Sequence, residues 1–205
     1  MKVYDRDYYR RWYHDPSTRI LVSTALARKV ALAVAAAEFV LSRRIRSVLD
    51  VGCGEGAWRG VLRRMRPGIR YTGVDGSEYA VRRHGVRRNI RLARFGELGR
   101  LRLDGPFDLV VCSDVLHYVP ARELAPGMRA LGKLTGGLAW IEVFAKEDET
   151  IGDAVEYHDR PAASYARMLR RAGLHPIGLF AFVTMTVRET LTSFELGGPI
   201  ARRGA

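Results

Sequence analysis

Seven residues, Asp50-Val51-Gly52-Cys53-Gly54-Glu55-Gly56, constrain this chain more than any other stretch. They close an apolar run, SVLDV (47–51), and lead into a segment with helical periodicity over 56–65. A strand that runs into glycines at alternate positions needs a sharp backbone turn and close approach of another group to the main chain. In an α/β sheet this happens at the carboxyl edge, where the next helix presents free N–H groups. Nineteen residues beyond Gly56, Asp75 closes the next strand-like run, RYTGV (70–74). A carboxylate there can accept hydrogen bonds from both hydroxyls of a ribose.

The remaining pattern alternates short apolar runs with helix-length segments. Strands are predicted at 47–51, 70–74, 90–93, 107–112 and 137–144, and helices at 56–65, 77–88, 121–134 and 162–172. Residues 174–183 and 185–196 read as two further strands. The fold class that follows is α/β: a doubly wound, mostly parallel seven-stranded sheet with helices on both faces and an antiparallel terminal hairpin. Ahead of it, 3–13 reads as a short aromatic-basic helix stopped by His14-Asp15-Pro16. A long helix over 18–42 follows, capped by Asp15 or Ser17, with Ile20, Leu21, Leu26, Val30, Leu32, Val34, Phe39 and Val40 as its apolar face. The expected division is an N-terminal helical cap, 1–42, and one compact domain, 43–205.

A net charge of +12 and a pI near 10.3 first suggest a nucleic-acid binder. The cations are 30 Arg against 4 Lys, and residues 43–102 alone carry a net +11. That stretch spans the first three strands and their helices, so Arg63, Arg64, Arg66, Arg82, Arg83, Arg87 and Arg88 are expected on outward helix faces. Two cysteines, Cys53 and Cys112, imply neither a disulfide framework nor a metal site. The N-terminus lacks a signal-like apolar stretch, and the apolar run 30–41 is too short to span a bilayer. The expectation is a reduced, cytoplasmic protein without membrane contact.

By spacing alone Gly52, Gly54 and Ala57 satisfy the dinucleotide pattern G-x-G-x-x-A. Asp50 argues against it, because a carboxylate in the loop repels a pyrophosphate and suits a cationic amino group. A ligand carrying a ribose and an ammonium fits better. The combination resembles the class I S-adenosylmethionine-dependent methyltransferases. Their acid-x-Gly-x-Gly-x-Gly loop matches VLDVGCGEG, the carboxylate after their second strand matches Asp75 in YTGVDGSEYAV, and their fourth strand matches FDLVVCSDVLHYVP. The resemblance covers roughly 46–196.

That resemblance implies S-adenosylmethionine as cofactor. Asp50 with Gly52, Cys53, Gly54 and Gly56 would hold its methionine moiety and Asp75 its ribose. Gly76 and Ser77 would flank the adenosine, Glu97 and Leu98 would meet the adenine, and Ser113 would touch the methionine end. Glu97 stands where relatives usually carry Asp. Methyl transfer needs a base where the acceptor is a hydroxyl, thiol or protonated amine. His117, Glu142 and His158 are the candidates. His117 reads equally as a packing residue, and Glu142 as a buried carboxylate paired with an Arg. Tyr118, Tyr157 and Arg160 are candidate acceptor contacts, with a solvated loop as the alternative for the last two. Tyr9 and Tyr13, four apart on one helical face, form either a lid or part of the core.

The Asn/Asp-Pro-Pro-aromatic motif of amino-methylating nucleic-acid enzymes is missing after the fourth strand, which reads Ser113-Asp114-Val115-Leu116. A small-molecule acceptor methylated on O, N or S is therefore the first expectation. An RNA or protein methyltransferase using the basic surface, and a non-catalytic S-adenosylmethionine-binding protein, are the alternatives.

Overall fold

The computed structural model describes residues 3–18, 23–149, 153 and 155–196. Its centre is a seven-stranded sheet built from β1 (Ser47–Val51), β2 (Arg70–Asp75), β3 (Ile90–Leu92), β4 (Phe107–Ser113), β5 (Thr135–Glu142), β6 (Leu174–Gly178) and β7 (Ala181–Thr184), in the order 3-2-1-4-5-7-6. The first five are parallel, and β7 runs antiparallel to both β5 and β6. All five residues of β1 are buried, as a strand covered on both faces requires.

The helices are α1 (Arg6–Tyr9), α2 (Ser23–Leu41), α3 (Ala57–Met65), α4 (Glu78–Arg88), α5 (Ala121–Leu134), α6 (Ala162–Arg171) and α7 (Met185–Arg188). α2 and α3 pack on one face, where Val30, Val34 and Leu62 meet Val48, Leu109 and Trp140. α5 and α6 cover the other, where Met128, Leu131 and Leu169 meet Leu49, Val110 and Ile141. Side chains alternate faces along each strand, so Val48, Asp50, Val111 and Trp140 share the α2/α3 face. The strand order reverses between β1 and β4, which opens a crevice at their carboxyl ends.

Several sequence expectations shift. The N-terminal helix is shorter than 3–13: α1 is a single turn capped by Asp5 and continues as a π-helix over Arg10–His14. Asp15 caps a turn, its carboxylate accepting the N–H of Ser17 at 2.9 Å. Ile20 and Leu21 lie outside the described residues. On α2 the buried stripe is Leu26, Val30, Ala33, Val34 and Ala37, while Leu32 and Phe39 face solvent. Each sits two residues from a buried neighbour, about 200° round the helix. α2 packs against the sheet face, while Tyr4, Tyr9 and Tyr13 of the preceding described segment, 3–18, reach Ser77 and Gly54.

At the other end the hairpin is contained within 174–184, turning at Gly178 (φ +115°) and Leu179 (φ +49°). The second predicted strand, 185–196, instead begins with α7. Two of the arginines expected on outward faces turn inward. Arg66 pairs with Glu38 of α2 at 2.5 Å, and Arg88 donates to the main-chain carbonyl of Glu55.

Candidate active site

The loop after β1 is shaped by left-handed glycines. At Gly52 (φ +73°) a Cβ would stand 2.2 Å from a methyl of Val115, so the loop lies flush against the chain leaving β4. Gly54 (φ +54°) donates its N–H to Asp75 Oδ2 at 2.7 Å, and the Ser77 N–H donates to Oδ1 at 2.8 Å. Asp75 therefore ties the ends of β1 and β2 together. Burial raises its pKa while the two N–H donors lower it. Ser77 caps α4 through the Ala80 N–H. Gly76 leaves open space beside Ala93 and Arg94, with no atom closer than 3.9 Å to a Cβ placed there.

Asp50 is not aimed at the crevice as expected. It lies beneath the loop on the α2/α3 face, 2% exposed, and Tyr71 donates its hydroxyl to Oδ2 at 2.7 Å. Burial pushes its carboxyl up to about 7, with the Tyr71 bond opposing and Asp75 adding. Cys53 lies in the same underside, its sulfur 2.7 Å from a Cβ placed on Gly73. The odd-even alternation of β1 sends Asp50 inward. Glu97 accepts the Arg94 N–H at 3.1 Å and closes a short 3-10 helix, Phe95–Arg100. Leu98 is wholly buried in the core.

An aromatic strap crosses the loop. Tyr9, 2% exposed, stacks on Tyr79 with ring centroids 5.6 Å apart. A Cβ on Gly54 would be 3.3 Å from the Tyr9 ring and 3.4 Å from the Tyr13 hydroxyl. Burial raises the Tyr13 phenol, and the charges of Asp75, Asp114 and Cys53 raise it further. The Ser77 hydroxyl donates to the Tyr4 carbonyl at 2.6 Å, and His14 Nε2 meets Glu55 Oε2 at 3.0 Å. His84 Nε2 stands 3.6 Å from the other Glu55 oxygen.

On the β4–β5 side, Ser113 and Glu142 are neighbours in register. The Ser113 hydroxyl donates to Glu142 Oε2 at 2.6 Å, and Lys29 of α2 binds the same oxygen. Glu142 therefore has a lysine partner where an arginine was expected. Asp114 comes next, in the left-handed region at φ +60°, with Oδ1 buried and lacking any hydrogen-bond partner. Sequence reasoning missed both Lys29 and Asp114. The signals were present: one of only 4 lysines among 34 cations, and a carboxylate directly after β4.

The other acceptor-side candidates form a separate aromatic and structural cluster. His117, 2% exposed, stacks on Tyr157 at 5.1 Å and lies edge-on to Tyr118 at 4.2 Å. The Tyr118 hydroxyl donates to the Asp153 carbonyl and that of Tyr157 to the Phe144 carbonyl. Arg160 spends its guanidinium on the carbonyls of Val119 (2.7 Å) and Leu116 (3.3 Å). His158 joins through its main chain, its N–H donating to the His117 carbonyl at 2.8 Å. An apolar cavity of about 260 Å³ lies on the opposite face of β5, lined by Ile141, Tyr165, Leu169 and Phe182, and holds none of these groups. Among the described residues no cluster of three His, Cys, Asp or Glu could hold a metal, and no helix is long and apolar enough to cross a membrane.

A doubly wound sheet with a glycine loop, a ribose-spaced aspartate and an antiparallel β7 is the S-adenosylmethionine-dependent methyltransferase fold. The family model for the methyltransferase domain matches residues 19–184, and the chain belongs to that family. It is 29% identical over 188 residues to the release factor glutamine methyltransferase of Chlorobaculum tepidum, covering 87% of this chain but only 58% of that relative's length. Among solved structures it resembles Streptomyces venezuelae DesVI (TM-score 0.60, 15% identity, 79% of this chain and 91% of the other). It also resembles the magnesium protoporphyrin IX methyltransferase of Synechocystis, solved with S-adenosylmethionine (TM-score 0.54, 18% identity, 86% and 88%).

Proposed function

We propose that this chain transfers the methyl group of S-adenosylmethionine to an O, N or S atom of a small-molecule acceptor. The cofactor would lie along the loop, its ribose against Asp75, with Gly52 and Gly54 permitting close approach and Tyr9, Tyr13 and Tyr79 forming an aromatic wall. When bound, it supplies an electrophilic methyl carbon on a sulfonium. The chain's part is to orient an acceptor beside it and exclude water. The observation that carries the small-acceptor reading is the strap: Tyr4 on Ser77 and Tyr9 over Gly54 roof the crevice, and a roofed site admits a small molecule more readily than a folded polymer.

A second reading, methylation of a protein side chain, draws on the similarity to the glutamine methyltransferase. RNA is less favoured, since exposed Arg63, Arg64, Arg82, Arg83 and Arg87 belong to α3 and α4, outside the strap. Isothermal titration with S-adenosylmethionine and S-adenosylhomocysteine tests the shared premise. Labelled methyl transfer into small-molecule, protein and RNA fractions of a cell extract then separates the readings. Label confined to protein or RNA would overturn the small-acceptor proposal.

A further inference from the structure

Among the described residues, Asp114 is the carboxylate at the crevice with a buried oxygen that the fold leaves without a partner. Its N–H donates to the Glu142 carbonyl at 3.0 Å, which holds the residue at the end of β4 in a left-handed conformation. Oδ1 is out of contact with water and has no hydrogen-bond partner. Leaving a buried acceptor unpaired is costly, and in a site such a group is satisfied by what binds there. The groups around it make the cost greater. Glu142 on β5 is a second carboxylate, and Lys29 on α2, the cation whose charge acts on Asp114, is already bound to Glu142. Tyr13 approaches from the strap, with Cys112 and Tyr118 also within electrostatic reach on the β4 side. No second cation faces it among the groups that shift its carboxyl. Val115, next in sequence, touches Gly52, so Asp114 stands at the junction between the loop and the β4–β5 edge.

We propose that Asp114 is the acceptor-binding base: its Oδ1 accepts a hydrogen bond from a hydroxyl or uncharged amine and takes that proton as the heteroatom is methylated. This rests on the methyltransferase reading above. The acceptor's O–H or N–H bond breaks and its proton ends on the carboxylate before passing to solvent. A heteroatom electron pair forms the new bond to the methyl carbon, and the carbon–sulfur bond breaks with its pair going to sulfur, S-adenosylhomocysteine leaving. Two carboxylates facing one lysine make the site net negative, so carboxylate and phosphate acceptors are excluded. Burial and the neighbouring Glu142 raise the carboxyl to about 6, with Lys29 opposing, which leaves it ionised and moderately basic near neutral pH.

Asp114→Asn is the informative variant, because Asn tolerates the left-handed backbone and keeps the shape. Against wild type, its affinity for S-adenosylhomocysteine by titration should stay within about threefold. Its melting temperature should rise at pH 8 and match wild type near pH 4, where Asp114 is protonated. With labelled S-adenosylmethionine and a mixed pool of small alcohols, phenols and amines, turnover should fall at least about 100-fold. A tenfold or greater loss of S-adenosylhomocysteine affinity would make Asp114 a cofactor ligand and overturn the proposal. A lower melting temperature at both pH values, or unchanged turnover, overturns it as well. If neither protein turns over the pool, the binding and melting results decide. Wild type binding neither S-adenosylmethionine nor S-adenosylhomocysteine would sink the methyltransferase reading itself, a distinct result.

Discussion

β2 ends on a half-buried aspartate, Asp75, and β4 is followed directly by another, Asp114, and the fold treats the two in opposite ways. Asp75 receives main-chain N–H donors on both oxygens, from Gly54 and Ser77. Asp114 has one oxygen with no donor at all and a second carboxylate nearby. A carboxylate held by two N–H groups is rigid and ready to present its remaining lone pairs. An orphaned one costs stability until a proton-bearing partner arrives. The β1–β2 side of the crevice is therefore fully hydrogen-bonded in advance, and the β4 side is left with an unpaired acceptor.

The largest effect that would test this contrast is at Asp75. Asp75→Ala should weaken S-adenosylhomocysteine at least about 100-fold in titration, since charged hydrogen bonds of about 1.5–3 kcal/mol are removed. Its melting temperature should fall, opposite in sign to Asp114→Asn; a rise in both would erase the distinction. Lys29→Met comes next. It leaves Glu142, 15% exposed in its side chain, without a cation, and should cost about 1–3 kcal/mol in urea unfolding at neutral pH. Unchanged stability would mean that the Lys29–Glu142 pair is dispensable to the acceptor side.

A smaller effect is expected beneath the loop. Asp50 and Asp114 have pKa values raised from 3.8 to about 7 and about 6, so the folded protein holds protons the unfolded chain has released. Their stabilising share is complete below about pH 4 and is lost as pH rises through those values. Asp50→Asn keeps an acceptor for Tyr71 and should flatten the decline in melting temperature between pH 5 and pH 8, gaining about 2 °C or more at the upper end. A variant as steeply pH-dependent as wild type would place that titration elsewhere. The smallest change is at Arg160. Arg160→Met frees the carbonyls of Leu116 and Val119 and should cost about 1 kcal/mol, with faster amide exchange confined to 116–119 and no loss of cofactor affinity.

Much of the scaffold was legible because it depends on local chemistry. The apolar runs of β1 and β4, the glycine loop and the ends of α5 follow from periodicity and turn residues. The antiparallel terminal hairpin is present, but its strand bounds were misjudged because its turn lies at Gly178-Leu179, inside what reads as one apolar run. The stripe on α2 was read too wide, since hydrophobicity alone does not tell Val30 from Leu32, one buried and one exposed.

The site divides along the same line. Sequence order and spacing alone determined the sheet, the family and the position of Asp75 at the end of β2, because a βαβ unit carries its loop and the carboxylate after its second strand within one continuous stretch. Only the tertiary structure decided the rest. It turned Asp50 under the loop toward Tyr71, sank His117 among aromatic rings, and bound Arg160 to carbonyls. It also brought Lys29 to Glu142 across 113 residues of sequence and left Asp114 Oδ1 beside them without a donor. The physical reason is that a residue's type states which charge it can carry. Which partners neutralise that charge depends on strand parity and on helices packed from distant parts of the chain.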